Sequence, residues 1–352
     1  MERLDYFIRR LLLVIPTFLG ITMLCFVITQ FVPGGPVEQL MLQLRGIGAG
    51  GEVASGPAAP GGAVSGEDSA EAERQAFVKH FGFDQPVLVR YWHWLWRDRC
   101  GMLARSYKFS NKTAWEMISQ RFPVSLLFGL TSFVLTYLVC IPLGVGKALR
   151  HGAAFDLVSS VVVFIGYAIP VFALGMLLKM LFCGTVEGLW DFFPASGFHS
   201  PGYEALSALG KAKDLFLHTF LPILCYMAGS FAMLTLLMKN SLLEQINSDY
   251  IRTVYAKGGT TARALWGHAL RNALVPVATG FGSVLTVMFA GSVIIERVFE
   301  IPGMGNLSLE AIVGRDYPVF MGILALTSIL GLLGNILSDF CYVVIDPRIN
   351  FN

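Results

Sequence analysis

The chain has 352 residues, of which 55% are hydrophobic and only 14% are charged, and its mean hydropathy is +0.62. An ordinary soluble domain is about one-quarter charged, so this composition indicates a membrane protein and excludes a soluble enzyme. The formal net charge of +2 is too small to indicate a nucleic-acid partner, and there is no lysine- or arginine-rich run that would follow a phosphate backbone.

Six apolar stretches predict an all-α membrane protein with about six transmembrane helices. A bilayer core of about 30 Å needs roughly 20 apolar residues in a helix, because a helix satisfies its own backbone N–H and C=O groups without water. The predicted spans are residues 11–32, 124–145, 157–182, 216–238, 274–295 and 319–345. The first stretch is too long for a cleaved signal and no small-residue cleavage site follows it, so we expect it to remain as an anchor.

The basic residues of the short loops predict that both termini are cytoplasmic, because lysine and arginine accumulate on that side. With this orientation, the inside segments contain Arg3, Arg9, Arg10, Lys147, Arg150, Lys239, Arg252, Lys257, Arg263, Arg271 and Arg348. The short outside loops contain only Lys211, Lys213, Arg297 and Arg315. The loop at 33–123 is too long to determine orientation by its charges.

The spans divide the chain into an N-terminal segment with the first span (1–32), an outer loop (33–123), a core (124–345) and a tail (346–352). Residues 46–66 of the outer loop are mostly Gly, Ala, Ser and Pro. This composition buries too little apolar area to offset the entropy of ordering, so it predicts a flexible insert. Aromatic residues return after the insert and predict a small helical cap packed at the membrane surface.

The chain lacks the common signatures of catalysis. There is no G-x-x-x-x-G-K-[ST] loop for ATP, and neither H-E-x-x-H nor G-x-S-x-G occurs. The six cysteines show no C-x-x-C spacing. The sequence therefore predicts no catalytic residue, no metal site, no disulfide and no cofactor held by this chain.

A stand-alone secondary transporter is the main alternative to an ATP-driven one. Coupling to an ion gradient favours charged groups at mid-membrane, but Lys179 and Asp339 lie near the ends of their spans, where snorkelling accounts for them. Glu296 marks a span boundary. The two halves of the chain also show none of the internal similarity that inverted repeats would give.

The polar segment 240–272 carries the strongest functional signal. Ile251, Val254, Tyr255 and Gly258 follow the i, i+3, i+4, i+7 spacing of one helix face, and Ala262, Leu265, Trp266 and Ala269 repeat it. The pattern predicts two short amphipathic helices hinged at Gly258 and Gly259. Periodicity alone leaves open whether they lie on lipid headgroups or dock on a partner protein.

The run Tyr250-Ile-Arg-Thr-Val-Tyr-Ala-Lys-Gly258, followed by His268-Ala-Leu-Arg-Asn-Ala-Leu-Val-Pro276, resembles the EAA coupling loop of ABC importer permeases of the dipeptide, oligopeptide and nickel family. Arg252, Thr253 and Val254 stand at the Glu-Ala-Ala positions, as in the peptide branch. Further resemblances occur in family order, at Pro33-Gly-Gly-Pro36, Phe81-Gly-Phe-Asp-Gln-Pro-Val-Leu-Val-Arg-Tyr91, Ile141-Pro-Leu-Gly144, Gly166-Tyr-Ala-Ile-Pro170, Pro302-Gly-Met-Gly305, Arg315-Asp-Tyr-Pro318 and Asp346-Pro-Arg348.

The resemblance implies a type I ABC importer permease fold in the bacterial inner membrane. It implies as partners a second, homologous permease, cytoplasmic ATPase subunits that bind ATP and Mg²⁺, and a periplasmic substrate-binding protein. The residues implied to couple to the ATPase are Tyr255, Ala256, Lys257, Gly258, Gly259, Arg263, His268 and Arg271. ATP binding would move this segment and open the path outward, with Pro142, Pro170, Pro222 and Pro276 as candidate hinges.

Residues 300–318 are expected to form a short outer helix between the last two spans. Pro302, Gly303, Gly305, Arg315, Asp316 and Tyr317 are its candidate gate or partner-contact residues. Within the family the resemblance is greatest to the branch associated with oligopeptides and the peptide antibiotic microcin C. The sequence alone leaves nickel, glutathione and sugars open as substrates, because the binding protein largely selects the substrate in this family.

Overall fold

The computed structural model describes residues 2–31, 75, 84–109, 111–186, 190–278, 280 and 291–345. The helices of this part are α1 Glu2–Phe31, α2 Val87–Trp92, α3 Ala114–Leu149, α4 Ala154–Ala168, α5 Val171–Phe182, α6 Ala208–Ile246, α7 Asp249–Ala256, α8 Thr261–Ala264, α9 Leu270–Ala278, α10 Val293–Val298, α11 Met304–Val313 and α12 Tyr317–Ile345. A π-helical turn at His93–Arg97 continues α2, and another at Leu265–Ala269 joins α8 to α9. The prediction of an all-α protein is confirmed.

Within these residues, α1, α3, α6 and α12 are long and apolar enough to cross a membrane, and the pair α4 and α5 counts as a fifth span if taken together. Most of the predicted span at 274–295 falls outside the described residues, as do the insert at 46–66 and the tail at 346–352. Helix α6 continues to Ile246, eight residues beyond the predicted end of its span, and so reaches directly to the functional segment.

The predicted span at 157–182 is divided into two helices. Helices α4 and α5 meet at an angle of 98° across a break at Ile169 and Pro170. Ile169 is extended, with φ −81° and ψ 122°, because a residue before proline is disfavoured in the α-helical region. Pro170 is the N-cap of α5, where its missing N–H costs no helical hydrogen bond. Of the candidate hinge prolines, Pro170 therefore marks a sharp bend.

The chain divides into two compact units. The first comprises Met1–Pro16, Ser119–Leu309 and Thr327–Asn352, and the second comprises Thr17–Ile118 and Glu310–Leu326.

In the first unit, α3 and α6 run parallel and take part in two apolar clusters. The turn-side cluster joins their C-terminal halves to α7, α8 and α9, and includes Cys140, Val145, Ala148, Leu234, Met238, Leu242, Ile251, Ala264, Leu265, Ala269, Ala273 and Val277. The far-side cluster joins their N-terminal halves to α5 and α10, and includes Val124, Phe128, Cys183, Leu221, Ile223, Cys225, Ile295, Phe299 and Ile301. Helices α4 and α5 lead the chain back from the end of α3 at the turn-side cluster to the far-side cluster.

Helices α3 and α6 approach each other closely at Gly144. A Cβ on Gly144 would lie 2.7 Å from Cβ of Met238 and 2.9 Å from the carbonyl oxygen of Thr235. Small residues let membrane helices approach in this way, so that backbone and side chains make many dispersion contacts. The glycine at the end of the Ile141–Gly144 motif thus has a packing role.

Two charged residues that the sequence assigned to snorkelling are bonded inside the first unit. The ammonium group of Lys179 donates to the carbonyl oxygen of Val298 at 3.1 Å. Asp339 is 7% exposed and forms an ion pair with Arg10 and a hydrogen bond with Tyr6. Each side chain therefore has a polar partner within the first unit.

In the second unit, the aromatic residues of the outer loop pack on residues 17–31 of α1. Tyr91 shares a hydrogen bond of 2.9 Å with Thr22, and Trp94 stacks on Tyr91 with ring centroids 5.6 Å apart. Both rings are buried, whereas Trp92 and Trp96 are 60% and 65% exposed. One face of α2 and its π-helical turn thus forms core, and the opposite face presents tryptophans of the kind found at membrane interfaces.

The close approach at Gly144 predicts that Gly144→Ala destabilises the protein by about 1–3 kcal/mol, since an added methyl forces two backbones apart. Gly146→Ala is the matched control in the same helix, because a Cβ there makes an ordinary 3.4 Å contact with Phe155. Thermal melting of the two purified variants in detergent checks this. Equal melting temperatures would contradict the packing role of Gly144.

Candidate functional site

Helix α7 ends in a glycine turn whose hydrogen bonds form a Schellman motif. The N–H of Gly258 donates to Tyr255 and that of Gly259 to Val254, both at 2.9 Å, which satisfies carbonyl groups left free at the helix end. Gly258 has φ +77°, a left-handed conformation that glycine adopts without steric cost. A Cβ on Gly258 would meet no atom within 4 Å, whereas one on Gly259 would lie 2.8 Å from the carbonyl oxygen of Val254. Gly258 is therefore open to solvent, and Gly259 is packed.

The predicted helix pair is present, but its apolar face is only partly as expected. Ile251, Leu265 and Ala269 are buried in the turn-side cluster, whereas Tyr255 and Trp266 are 45% and 62% exposed. Gly258 and Ala262, which the periodicity placed on the same face, are exposed as well. The π-helical turn at Leu265–Ala269 accounts for part of the difference, because its wider turn shifts the register from 3.6 residues.

The helix pair is fixed to α6 by polar contacts as well as by packing. The hydroxyl of Ser241 on α6 donates to the carbonyl oxygen of Ala273 on α9 at 2.9 Å, inside the protein. Tyr250 donates to Gln245 at 2.8 Å across the corner between α6 and α7. Thr260 caps α8 by accepting the N–H of Arg263. Helix α6 is thus bonded to the segment that follows it at both Gln245 and Ser241.

The exposed side of the helix pair, which we call the coupling surface, carries aromatic rings and positive charges. It consists of Tyr250, Arg252, Tyr255, Lys257, Gly258, Arg263, Trp266, His268 and Arg271. Arg252 pairs with Asp249 at 3.2 Å, and Lys257 is the C-cap of α7, where a cation also favours the helix dipole. Exposed aromatic and arginine side chains around an open glycine are typical of a protein-docking surface.

A buried ion cluster lies at the same end of α3 and α6 and was not predicted. Asp156 at the start of α4 accepts from Lys239 of α6 at 2.7 and 2.8 Å. Lys147 of α3 lies 3.3 Å from the Asp156 carboxylate and donates to Ser159 and Ser160. The side chains of Lys147 and Asp156 are 0% and 7% exposed. The cluster therefore clamps three helices together.

Of the first three candidate gate residues, Pro302 and Gly303 lie just before α11 and Gly305 lies in its first turn, all within the first unit. We call residues 302–305 the Pro302–Gly305 turn. Gly303 and Gly305 are buried and Pro302 is half-buried. A Cβ on Gly305 would lie 2.6 Å from the backbone nitrogen of Val293, and one on Gly303 would overlap the carboxyl group of Glu296. This turn is therefore packed within its own unit.

Arg315, Asp316 and Tyr317 belong to the second unit, at the corner between α11 and α12. Asp316 is 3% exposed and accepts hydrogen bonds from the hydroxyl of Ser106 and the N–H of Tyr107. Arg315 adopts φ +50°, which makes the corner sharp enough for this contact. Burial raises the pKa of the nearby Tyr107 to about 12. Asp316 thus fastens the outer loop to the start of α12.

Across the described ranges, no three His, Cys, Asp or Glu side chains come together in a way that could hold a metal ion. The sequence did not predict the Asp156 cluster or the burial of Glu296. Lys147 and Lys239 were used only as inside charges that indicate the orientation of the chain. Lys147, Asp156 and Lys239 all lie near the ends of predicted spans, which could have suggested an ion pair. They are too far apart in the sequence for any local pattern to connect them.

Comparison with known proteins gives consistent results. The family model described as "binding-protein-dependent transport system inner membrane component" matches residues 140–351. The chain is 40% identical to the inner membrane ABC transporter permease protein YejB of Escherichia coli O157:H7 over 361 aligned residues, and 38% identical to the peptidoglycan transport system permease protein YejB of Agrobacterium fabrum over 362. Each alignment covers 98% of both chains. The oligopeptide transport system permease protein AppB of Bacillus subtilis is 34% identical over 98% of this chain and 99% of its own length.

The ion cluster predicts that Asp156→Asn destabilises the protein by about 3–5 kcal/mol, because it leaves two buried ammonium groups without their carboxylate. Asp249→Asn is the matched control. It removes a carboxylate of which 93% is exposed, and it should leave the melting temperature unchanged. Melting curves of the purified variants measure both effects, and similar curves would show that the Asp156 cluster does not clamp the helices.

Proposed function

The chain belongs to the family of binding-protein-dependent transport system inner membrane components, and from this premise we propose how its coupling surface works. The protein is a permease subunit of an ABC importer for peptides and a multi-pass protein of the bacterial inner membrane. It works with an ATPase and a substrate-binding protein. This function sets aside the alternative of a stand-alone secondary transporter.

We propose that the coupling surface is the docking site of a cytoplasmic ATPase subunit, which binds ATP and Mg²⁺ and hydrolyses the nucleotide. The observation that carries this proposal is the turn at Gly258, which projects with open space around it while Tyr255 and Trp266 are exposed beside it. Ile251 and Leu265 are already buried within the chain, so docking requires no apolar face to leave its own core. The open glycine gives a partner close access to the backbone.

The same contacts supply a route from the ATPase to the transport path. Closure of the ATPase subunits on ATP would displace α7 and α8, and Ser241 together with the turn-side cluster would carry the displacement to α6 and α3. The resulting movement would change the accessibility of the path from inward to outward. Such a switch needs a ligand that binds the two states with different affinity, and ATP bound to the partner supplies that difference.

The proposed function also assigns the remaining partners and the orientation of the chain in the membrane. A second, homologous permease would complete the path, and exposed apolar side chains on α4 and α5 offer surface for it or for lipid. Both termini would be cytoplasmic, which places the coupling surface on the ATPase side. The substrate-binding protein would deliver peptide at the opposite end of α3 and α6, near Pro302, Gly303 and Gly305. Oligopeptides, including microcin C-like peptides, are the proposed substrates.

The test of the function is ATP-driven uptake of labelled oligopeptides into proteoliposomes that contain this chain with its ATPase, its second permease and its binding protein. Uptake should require ATP and all of these components, and labelled Ni²⁺, glutathione and sugars should not accumulate. Peptide accumulation by the isolated chain under a proton gradient would contradict the proposal and indicate a secondary transporter.

The open space around Gly258 predicts that Gly258→Trp disrupts docking while Gly258→Ala largely preserves it. Both variants carry the strain of a left-handed side chain, about 1–2 kcal/mol, but only tryptophan fills the space that a docked ATPase would occupy. We expect Gly258→Trp to lose the ATPase on affinity purification and at least tenfold of peptide uptake, and Gly258→Ala to keep at least half of both.

Equal recovery of the ATPase by Gly258→Ala and Gly258→Trp would show that the turn does not touch the partner. Equal amounts of the two variants in the membrane, measured in the same preparation, confirm that their folds are comparable. His268→Ala and Arg271→Ala then test whether the exposed basic side chains of the coupling surface add to the affinity for the ATPase.

A further inference from the structure

Glu296 is a completely buried carboxylate next to the far-side cluster, at the ends of α3 and α6 opposite the coupling surface. It lies in α10 and is 0% exposed, although the sequence placed it at a span boundary. The N–H of Asn306 donates to its Oε2 at 2.7 Å. The hydroxyl groups of Ser125 and Tyr226 reach its Oε1 at 3.2 and 3.4 Å. The carboxylate thus joins α3, α6 and the first turn of α11.

The directions of these hydrogen bonds are fixed by a second set of contacts. Ser125 accepts the N–H of Met304 at 2.7 Å, and Tyr226 accepts the N–H of Ser292 at 2.9 Å. Each hydroxyl therefore has its own hydrogen available to donate to Glu296. The N–H of Ser292 also lies 3.3 Å from Oε1. A group surrounded by donors matches a carboxylate, which accepts only, and does not match an amide.

Glycines allow the backbone to close around this carboxylate. A Cβ on Gly291, which has φ +66°, would lie 2.2 Å from Oε1, and a Cβ on Gly303 would lie 2.3 Å from Cδ of Glu296. The Pro302–Gly305 turn is therefore shaped around Glu296. In the first turn of α11, a helix of ten residues, the N–H of Asn306 donates to this carboxylate, and a negative charge at a helix N-terminus is stabilised by the helix dipole.

We infer that Glu296 is a positioning residue of the transport cycle: it fixes the Pro302–Gly305 turn and the start of α11 on the far ends of α3 and α6, and so closes that end of the path. The inference rests on the proposed function, in which α3 and α6 carry movement from the ATPase. A displacement of either helix acts on Ser125 or Tyr226, and through Glu296 on α11. Opening at the far side is thereby tied to ATP binding at the coupling surface.

Glu296→Gln tests this role, because glutamine keeps the shape but replaces one acceptor oxygen with an NH₂ donor that faces other donors. The complete complex in proteoliposomes is compared with the natural protein for ATP hydrolysis and for peptide uptake. We expect ATP hydrolysis within twofold and peptide uptake reduced at least tenfold, so that the number of peptides moved per ATP falls. Loss of uptake only in proportion to the amount of folded complex would overturn the positioning role.

A labelling experiment observes the closure directly. Met304 is 0% exposed, and a cysteine at Met304→Cys should react with a membrane-impermeant maleimide from outside only when that end opens. Labelling should depend on ATP in the natural background and become independent of ATP with Glu296→Gln. The protein without Met304→Cys corrects for the native cysteines, and ATP-dependent labelling that persists with Glu296→Gln would contradict the inference.

If Glu296→Gln prevents assembly, Tyr226→Phe is the milder variant. It removes one donor to Glu296 and the acceptor of Ser292, but keeps the ring stacked on Phe128 at 5.9 Å. We expect peptides moved per ATP to fall two- to fivefold, and an unchanged ratio would contradict the inference. Failure of the proposed function is distinct, since the natural complex would then show no ATP-driven uptake at all.

Discussion

Helix α3 packs on α6 so closely at Gly144 that a methyl group would overlap Met238, and the arrangement of the first unit depends on this contact. A buried carboxylate bridges the two helices at each end. Asp156 accepts from Lys239 and lies against Lys147 at one end, and Glu296 accepts from Ser125 and Tyr226 at the other. Breaking either bridge would leave a buried charge without its partners, which is costly in a medium of low polarity.

Contacts with α3 and α6 allow the short helices of the coupling surface to be stable while their outer side stays exposed. A helix of eight residues such as α7 is too short to be stable alone in water. Burial of Ile251 in the turn-side cluster, the Schellman hydrogen bonds at Gly258 and Gly259 and the bond from Tyr250 to Gln245 hold it in place. The exposed rings and charges are consequently available to a partner while the fold of the segment is already fixed.

The sequence predicts the long apolar spans and the helix pair around Gly258. Apolar runs, hydrophobic periodicity and glycine turns each depend only on residues that are close together in the sequence. Pro170 could be recognised in the sequence as a possible hinge. The bend of 98° could not be predicted, because membrane helices often accommodate proline without a break. The periodicity placed Trp266 on the same face as Leu265 and Ala269, because a 3.6-residue period does not anticipate the π-helical turn that contains all three. The bridges at Asp156 and Glu296 join residues 83 and 171 positions apart, beyond any local pattern.

These contacts also bear on where the energy for transport enters. The buried charges at Asp156 and Glu296 are saturated by donors from several helices, whereas a group that carries protons or ions through a cycle must exchange its partners. Their geometry suits fixed joints between moving helices better than ion relays. In the proposed function the driving force enters from outside the chain, and the exposed turn at Gly258, which follows α6, is the segment that would receive it.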